Sequence, residues 1–240
     1  MVDTDYLKEM EIMKIIKSIL IAFVFIFFSH LNSYAVDYYA RVILIGDSSG
    51  GKTSLWNRIF DYPFKEDESK SDMMISKELI RRVGNNEIQF NIWDTAGAEC
   101  YYDEVVEFTR GANFVIIVHD TDANFDESKE QYLETLYGKV HDKIQHDGKV
   151  LFVGTKWDLR HEKIVNASKQ QALLENVAKS VPTACVFVSS KNNTNINRVL
   201  DFLCSKSDQM ELYTNNPDVS VQKRFEMKKG SGWFNWCTIL

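Results

Sequence analysis

Gly46-Asp47-Ser48-Ser49-Gly50-Gly51-Lys52-Thr53 is the stretch that decides the reading of this chain. It satisfies G-x-x-x-x-G-K-[ST] in full, behind an apolar strand pattern at 41–45 and ahead of a helix expected over 52–60. Glycines let successive backbone N–H groups turn inward around a phosphate. The helix that follows adds unpaired N–H groups and the positive end of its dipole. In such a loop Asp47, Ser48, Ser49, Gly50, Gly51 and Ser54 line the cradle. Lys52 then reaches the β and γ phosphates, and the Thr53 hydroxyl coordinates magnesium. A glycine-rich turn with a chance Lys-Thr is the bland alternative. By itself the motif specifies a nucleoside triphosphate and leaves the base open.

Outward from the loop, strand and helix patterns alternate. Ile88, Phe90 and Ile92 alternate with polar residues, as in a half-buried strand, and Gly84-Asn85-Asn86 predicts a hairpin back to 78–83. The runs 114–118 and 150–153 are almost wholly apolar, the mark of central parallel strands covered on both faces. Helices are expected over 127–140 and 168–180, and a last strand over 184–188. Ile196, Val199, Leu200 and Leu203 then recur at helical spacing. This alternation predicts a mainly parallel sheet wrapped on both faces.

Composition bounds the partners. The chain has 240 residues, 45% hydrophobic and 26% charged, enough for one core of ordinary size with tails. Its 28 basic against 34 acidic residues exclude nucleic acid as the principal partner, because phosphate neutralisation needs a basic surface. The four cysteines form no C-x-x-C pair, which predicts neither a zinc site nor a disulfide framework. Residues 1–37 read as an N-terminal segment of their own: Lys14 and Lys17 precede an apolar run over 19–28, and Ser33-Tyr34-Ala35 follows. That layout is signal-like or membrane-associated, and the run is too short to cross a hydrocarbon core of ~30 Å unless it is extended through Ser29 and His30 to Leu31. Residues 38–206 form the expected folded domain, and 207–240 lose periodicity and read as a flexible tail.

Three further motifs close expected strands at their carboxyl ends, where open α/β sheets bind ligands. They are Trp93-Asp94-Thr95-Ala96-Gly97, Gly154-Thr155-Lys156-Trp157-Asp158 and Ser189-Ser190-Lys191. With the phosphate loop, this set resembles the Ras-superfamily small GTPases over residues 41 to about 206. The resemblance implies a P-loop NTPase sandwich of three layers, with a mostly parallel six-stranded sheet between helices. It implies GTP and GDP as ligands with magnesium, held by Thr53, Asp94 and a switch hydroxyl. Asp158 then pairs with the guanine edge, Thr155 and Ser189 belong to the same base-binding motifs, Lys156 and Lys191 flank the ring, and the backbone at Ser190 meets the guanine carbonyl. Gly-Asp-Ser in the loop and Arg110-Gly111-Ala112 look like the Rab branch. Thr155 in place of Asn looks like the Rho branch, yet Asp158 to Ser189 is 189 − 158 = 31 positions, too few for the Rho insert.

Departures from the family pattern carry the mechanistic interest. Thr53 plus 18 positions and Trp93 minus 22 both land on Ser71 where the family's switch threonine stands, with Ser69 as a slipped alternative. After Gly97 the chain has Ala98 where the family carries a water-positioning glutamine, which implies slow hydrolysis or a scaffold held in its GTP form. Ser49-Gly50 replaces the usual Gly-Val. The chain ends Cys237-Thr238-Ile239-Leu240, a geranylgeranylation motif, with Lys223, Arg224, Lys228, Lys229, Trp233, Phe234 and Trp236 upstream. The family implies a monomer with exchange factor, activating protein and effectors, on the cytoplasmic face of a membrane. The signal-like start raises bacterial secretion into a host cell as another origin.

Overall fold

Alternating apolar residues and continuous apolar runs resolve into one sheet in a computed structural model, which describes residues 13–21, 36–66, 74–95, 102–121, 127–159 and 184–218. Its elements in chain order are β1 (Tyr38–Gly46), α1 (Lys52–Ile59), β2 (Ile75–Val83), β3 (Asn86–Asp94), α2 (Tyr102–Phe108), β4 (Phe114–Asp120), α3 (Glu127–His141), β5 (Lys149–Thr155), a 3-10 turn (Trp157–Leu159), β6 (Ala184–Phe187) and α4 (Ile196–Ser207). The six strands lie in the order β2-β3-β1-β4-β5-β6. Only β2 runs antiparallel, joined to β3 by the expected hairpin, with Val83 opposite Asn86. The remaining pairs are parallel.

Strand alternation separates two apolar layers. Val42, Leu44, Phe90, Ile92, Phe114, Ile116, Leu151 and Val153 face Leu55 and Ile59 of α1 and Val199 and Leu203 of α4. Ile43, Ile45, Trp93, Val115, Ile117, Val150 and Phe152 face α2 and α3 through Val105, Val106, Leu133, Leu136 and Val140. This is the three-layer, mostly parallel α/β arrangement expected, and it brings the carboxyl ends of β1, β3, β4, β5 and β6 to one edge.

The expected tail departs from expectation at its start. Tyr213 makes an antiparallel bridge to Tyr39, donating to and accepting from its backbone at 3.0 and 2.7 Å. Asp218 is fully buried, its carboxylate accepting from Arg41 Nε at 2.7 Å, Trp93 Nε1 at 3.0 Å and Asn91 Nδ2 at 3.1 Å. Arg41 also donates to the Arg110 carbonyl at 2.8 Å and lies over the Phe108 ring. Residues 211–218 therefore form a strap on the sheet and not a flexible tail, because a buried carboxylate and a buried guanidinium satisfy each other there.

Residues 13–21 form a helix whose side chains are all exposed. No helix among the described residues is long and apolar enough to cross a membrane. The expected helix at 168–180, the rest of the N-terminal apolar run, Ser69, Ser71, Gly97, Ala98, the basic and aromatic tail residues and Cys237 lie outside the described residues.

Candidate functional site

The loop after β1 is shaped by glycines that have no substitute. Gly46 has φ 133°, and a Cβ there would lie 2.0 Å from the Val118 carbonyl oxygen. Gly51 has φ 89° and sits 3.1 Å, by its absent Cβ, from the Thr155 hydroxyl. Between them Gly50 N–H donates to the Asp47 carbonyl at 3.1 Å, closing the turn. Lys52, 5% exposed, donates from Nζ to the carbonyls of Gly46 (3.0 Å) and Asp47 (2.6 Å), so its ammonium lies directly beneath the loop. Burial lowers its pKa, and the Asp94 carboxylate pulls the other way.

Thr53, one residue on, donates to Asp94 Oδ2 at 2.7 Å, joining the start of α1 to the end of β3. Asp94 is fully buried. A hydroxyl and a carboxylate in contact beside a phosphate cradle are hard-oxygen donors of the kind magnesium takes, so these residues fit that ion. Thr95 fixes the exit of β3 by donating to the Leu44 carbonyl at 2.7 Å.

Ser49 is exposed and holds φ at 60°, a left-handed conformation that costs a residue with a Cβ ~1–2 kcal/mol. Ser49→Gly relieves that strain and gives back ~0.5–1 kcal/mol through the freer unfolded chain. The expected net result is a variant more stable by about 0.5–1 kcal/mol, read as a higher urea midpoint. An unchanged or lower midpoint would count against strain in the loop.

The second half of the edge is built from β4, β5 and β6. Thr155 donates from Oγ1 to the Gly50 carbonyl at 2.6 Å, with the His119 carbonyl at 3.1 Å as the alternative acceptor. It thereby ties β5 to the phosphate loop. Lys156 holds φ at 58° and pairs with Asp120 at the end of β4, Nζ to Oδ2 2.6 Å. Trp157 N–H donates to the Val188 carbonyl at 3.1 Å, and its ring stacks on Phe187 with centroids 4.7 Å apart. This brings Asp158 to the loop after β6, where Ser189 donates from Oγ to Asp158 Oδ1 at 2.5 Å. Asn192 N–H closes the same loop on Ser189 Oγ at 3.0 Å. Ser190 is buried, and its Oγ has no hydrogen-bond partner among the described residues. Lys191 is exposed and pairs with Glu66 at 2.6 Å, a surface pair of small value.

The structure thus gathers Asp47 to Ser54, Asp94, Thr155, Lys156, Asp158, Ser189, Ser190 and Lys191 at one edge of the sheet. Sequence reasoning passed over Arg58, which leaves α1 to donate to the carbonyls of Ser190 (2.5 Å) and Lys191 (3.1 Å). It also passed over Asp120, the partner of Lys156. A carboxylate ending the apolar run of β4 carried a readable signal; Arg58, polar on a helix, carried none.

The Ras family model matches residues 41–209. The chain is 29% identical to the GTP-binding protein ypt1 of Schizosaccharomyces pombe over 197 residues, covering 82% of this chain and 92% of that protein. It is 28% identical to the Ras-related protein Rab-1 of Theileria parva over 188 residues, with coverage of 77% and 82%. Against the Ras-related protein SEC4 of Saccharomyces cerevisiae it is 28% identical over 185 residues, with coverage of 77% and 81%. With the loop, the Thr53–Asp94 pair and the Asp158–Ser189 pair on one sheet edge, the chain belongs to the Ras family, as a Rab-like small GTPase.

Proposed function

We propose that the chain is a guanine-nucleotide switch that works at the cytoplasmic face of a membrane and hydrolyses GTP slowly. The observation that supports this best is the joint placement of the Thr53–Asp94 pair and the Asp158–Ser189 pair at the edge where the glycine loop opens. In this reading the N–H groups of Asp47 to Thr53 and Ser54 cradle the phosphates, and Lys52 turns its ammonium from loop carbonyls to the β and γ phosphates. Thr53, Asp94 and Ser71 would hold magnesium, which would supply positive charge to offset that of the phosphates. Asp158 accepts from the guanine edge, Lys156 and Lys191 flank the ring, and Thr155 keeps both halves of the site in register.

Gly97 precedes Ala98, which offers neither donor nor acceptor to an attacking water, so hydrolysis is slow. The same residue favours a second reading, a scaffold that stays GTP-bound and recruits effectors without useful turnover. Cys237 carries a geranylgeranyl group, and the basic and aromatic residues before it supply the second membrane contact that one lipid chain requires. The apolar segment within 1–37 adds a further contact, 38–206 bind nucleotide, and the lipidated part of 207–240 follows the strap. Exchange factor, activating protein and trafficking effectors are the partners of a monomer, as the Rab resemblance implies.

The nucleotide that co-purifies with the full chain tests the switch: GDP or GTP is expected, and ATP would overturn it. Single-turnover hydrolysis separates the two readings. Ala98→Gln is expected to raise the rate at least about tenfold, since positioned groups contribute on that order or more. No acceleration would remove Ala98 as the cause of slow turnover, and no turnover in either chain would favour the scaffold.

A further inference from the structure

We propose that Lys129 is a positioning residue of the nucleotide site, acting by neutralising the Asp47 carboxylate inside the phosphate loop. Asp47 is the residue whose carbonyl accepts from Lys52, so it belongs to the turn of the loop that the Lys52 ammonium underlies. That carboxylate is paired with Lys129 Nζ from the first turn of α3, and both side chains are about four-fifths buried. The pairing spans 129 − 47 = 82 positions, and nothing in the local sequence forces it.

Charge gives the pair its consequence. Lys52 feels the Asp94 carboxylate and donates to the Asp47 backbone carbonyl, so the loop already holds acidic groups of its own. A polyphosphate entering the loop adds several negative charges, at a place where partial burial makes like-charge repulsion stronger than in water. With Lys129 in contact, Asp47 presents a neutral pair to the phosphates. Without it, a mostly buried carboxylate of the phosphate loop is left uncompensated. The penalty grows with phosphate charge, so it falls harder on GTP than on GDP. This inference rests on the nucleotide-switch reading.

A tie that merely held α3 to the loop would make either partner's loss harmful. Neutralisation predicts opposite signs. In the full chain, Lys129→Gln is expected to weaken binding of a non-hydrolysable GTP analogue about tenfold, and magnesium-GDP less, the scale of one screened charge interaction. Asp47→Asn leaves Lys129 in excess and is expected to tighten binding of the analogue by about threefold, a gain that misfolding does not produce. Lys129→Arg keeps wild-type affinity, and the double variant Lys129→Gln with Asp47→Asn returns to within about twofold of it. Equilibrium titration with both nucleotides, at low and high salt, reads all four. Unchanged affinity in Lys129→Gln, or unchanged or weaker binding in Asp47→Asn, overturns the proposal alone. Failure of the wild-type chain to bind either nucleotide overturns the switch reading and this proposal with it.

Discussion

Asp158→Asn is expected to abolish the preference for guanine, weakening GDP binding by roughly 10²–10³-fold, or about 3–4 kcal/mol. Ser189 donates to Asp158 Oδ1 at 2.5 Å, which fixes the plane of the carboxylate. Guanine offers that group two parallel N–H donors, one on the ring and one on the exocyclic amine. Asparagine can accept from one of them, but its amide N–H₂ then faces the other donor. The loss combines a charge-assisted hydrogen bond with an unsatisfied donor pair, so it exceeds that of an ordinary hydrogen bond. Xanthine carries a carbonyl where guanine has its amine, so the variant is expected to prefer xanthosine diphosphate. Competition of guanosine, xanthosine and adenosine diphosphates for one fluorescent nucleotide reads this directly. If the variant keeps wild-type GDP affinity, Asp158 does not touch the base.

The parts of the site built on strand ends were legible because periodicity places them. Asp94, Thr155 and the residues after β6 each end an apolar or alternating run, so their position at one edge follows once the sheet is known to be parallel. The loop was legible because only glycine meets its geometry, as the Val118 carbonyl against Gly46 makes plain. What escaped was contact between elements distant in the chain. Nothing in the spacing of Lys129 and Arg58 along their helices says that the phosphate loop or the Ser190 carbonyl lies opposite. β1 also starts earlier than the run at 41–45, at Tyr38, because pairing with β3 and Tyr213 extends it. The strap was illegible for the same reason: Asn215, Asn216 and Pro217 look like linker, and only the buried Arg41 and Trp93 reveal what Asp218 is for.

Asp218→Ala carries the largest expected loss of stability, about 3–5 kcal/mol, as when one member of a buried ion pair is removed. Arg41 and Asp218 are 7% and 1% exposed at their side chains, so the guanidinium left behind has little water to recover. Trp93 Nε1 and Asn91 Nδ2 lose an acceptor at the same time, although Asn91 retains Asn216 Oδ1 at 2.7 Å. Against a total stability of about 5–15 kcal/mol for an ordinary domain, such a loss is large. Arg41→Met in the Asp218→Ala background is expected to restore part of it by removing the unpaired charge. Restoration stays incomplete, because Arg41 also donates to the Arg110 carbonyl and covers the Phe108 ring. Urea unfolding of the single and double variants measures both terms, and a loss under about 1 kcal/mol for Asp218→Ala would mean the strap lies on the sheet without holding it. The consequence reaches the site through one peptide bond: Trp93, held by Asp218, precedes Asp94, and Asp94 is the acceptor for Thr53. A chain with a loosened strap is therefore expected to release magnesium-GDP faster than wild type even under conditions where it remains folded.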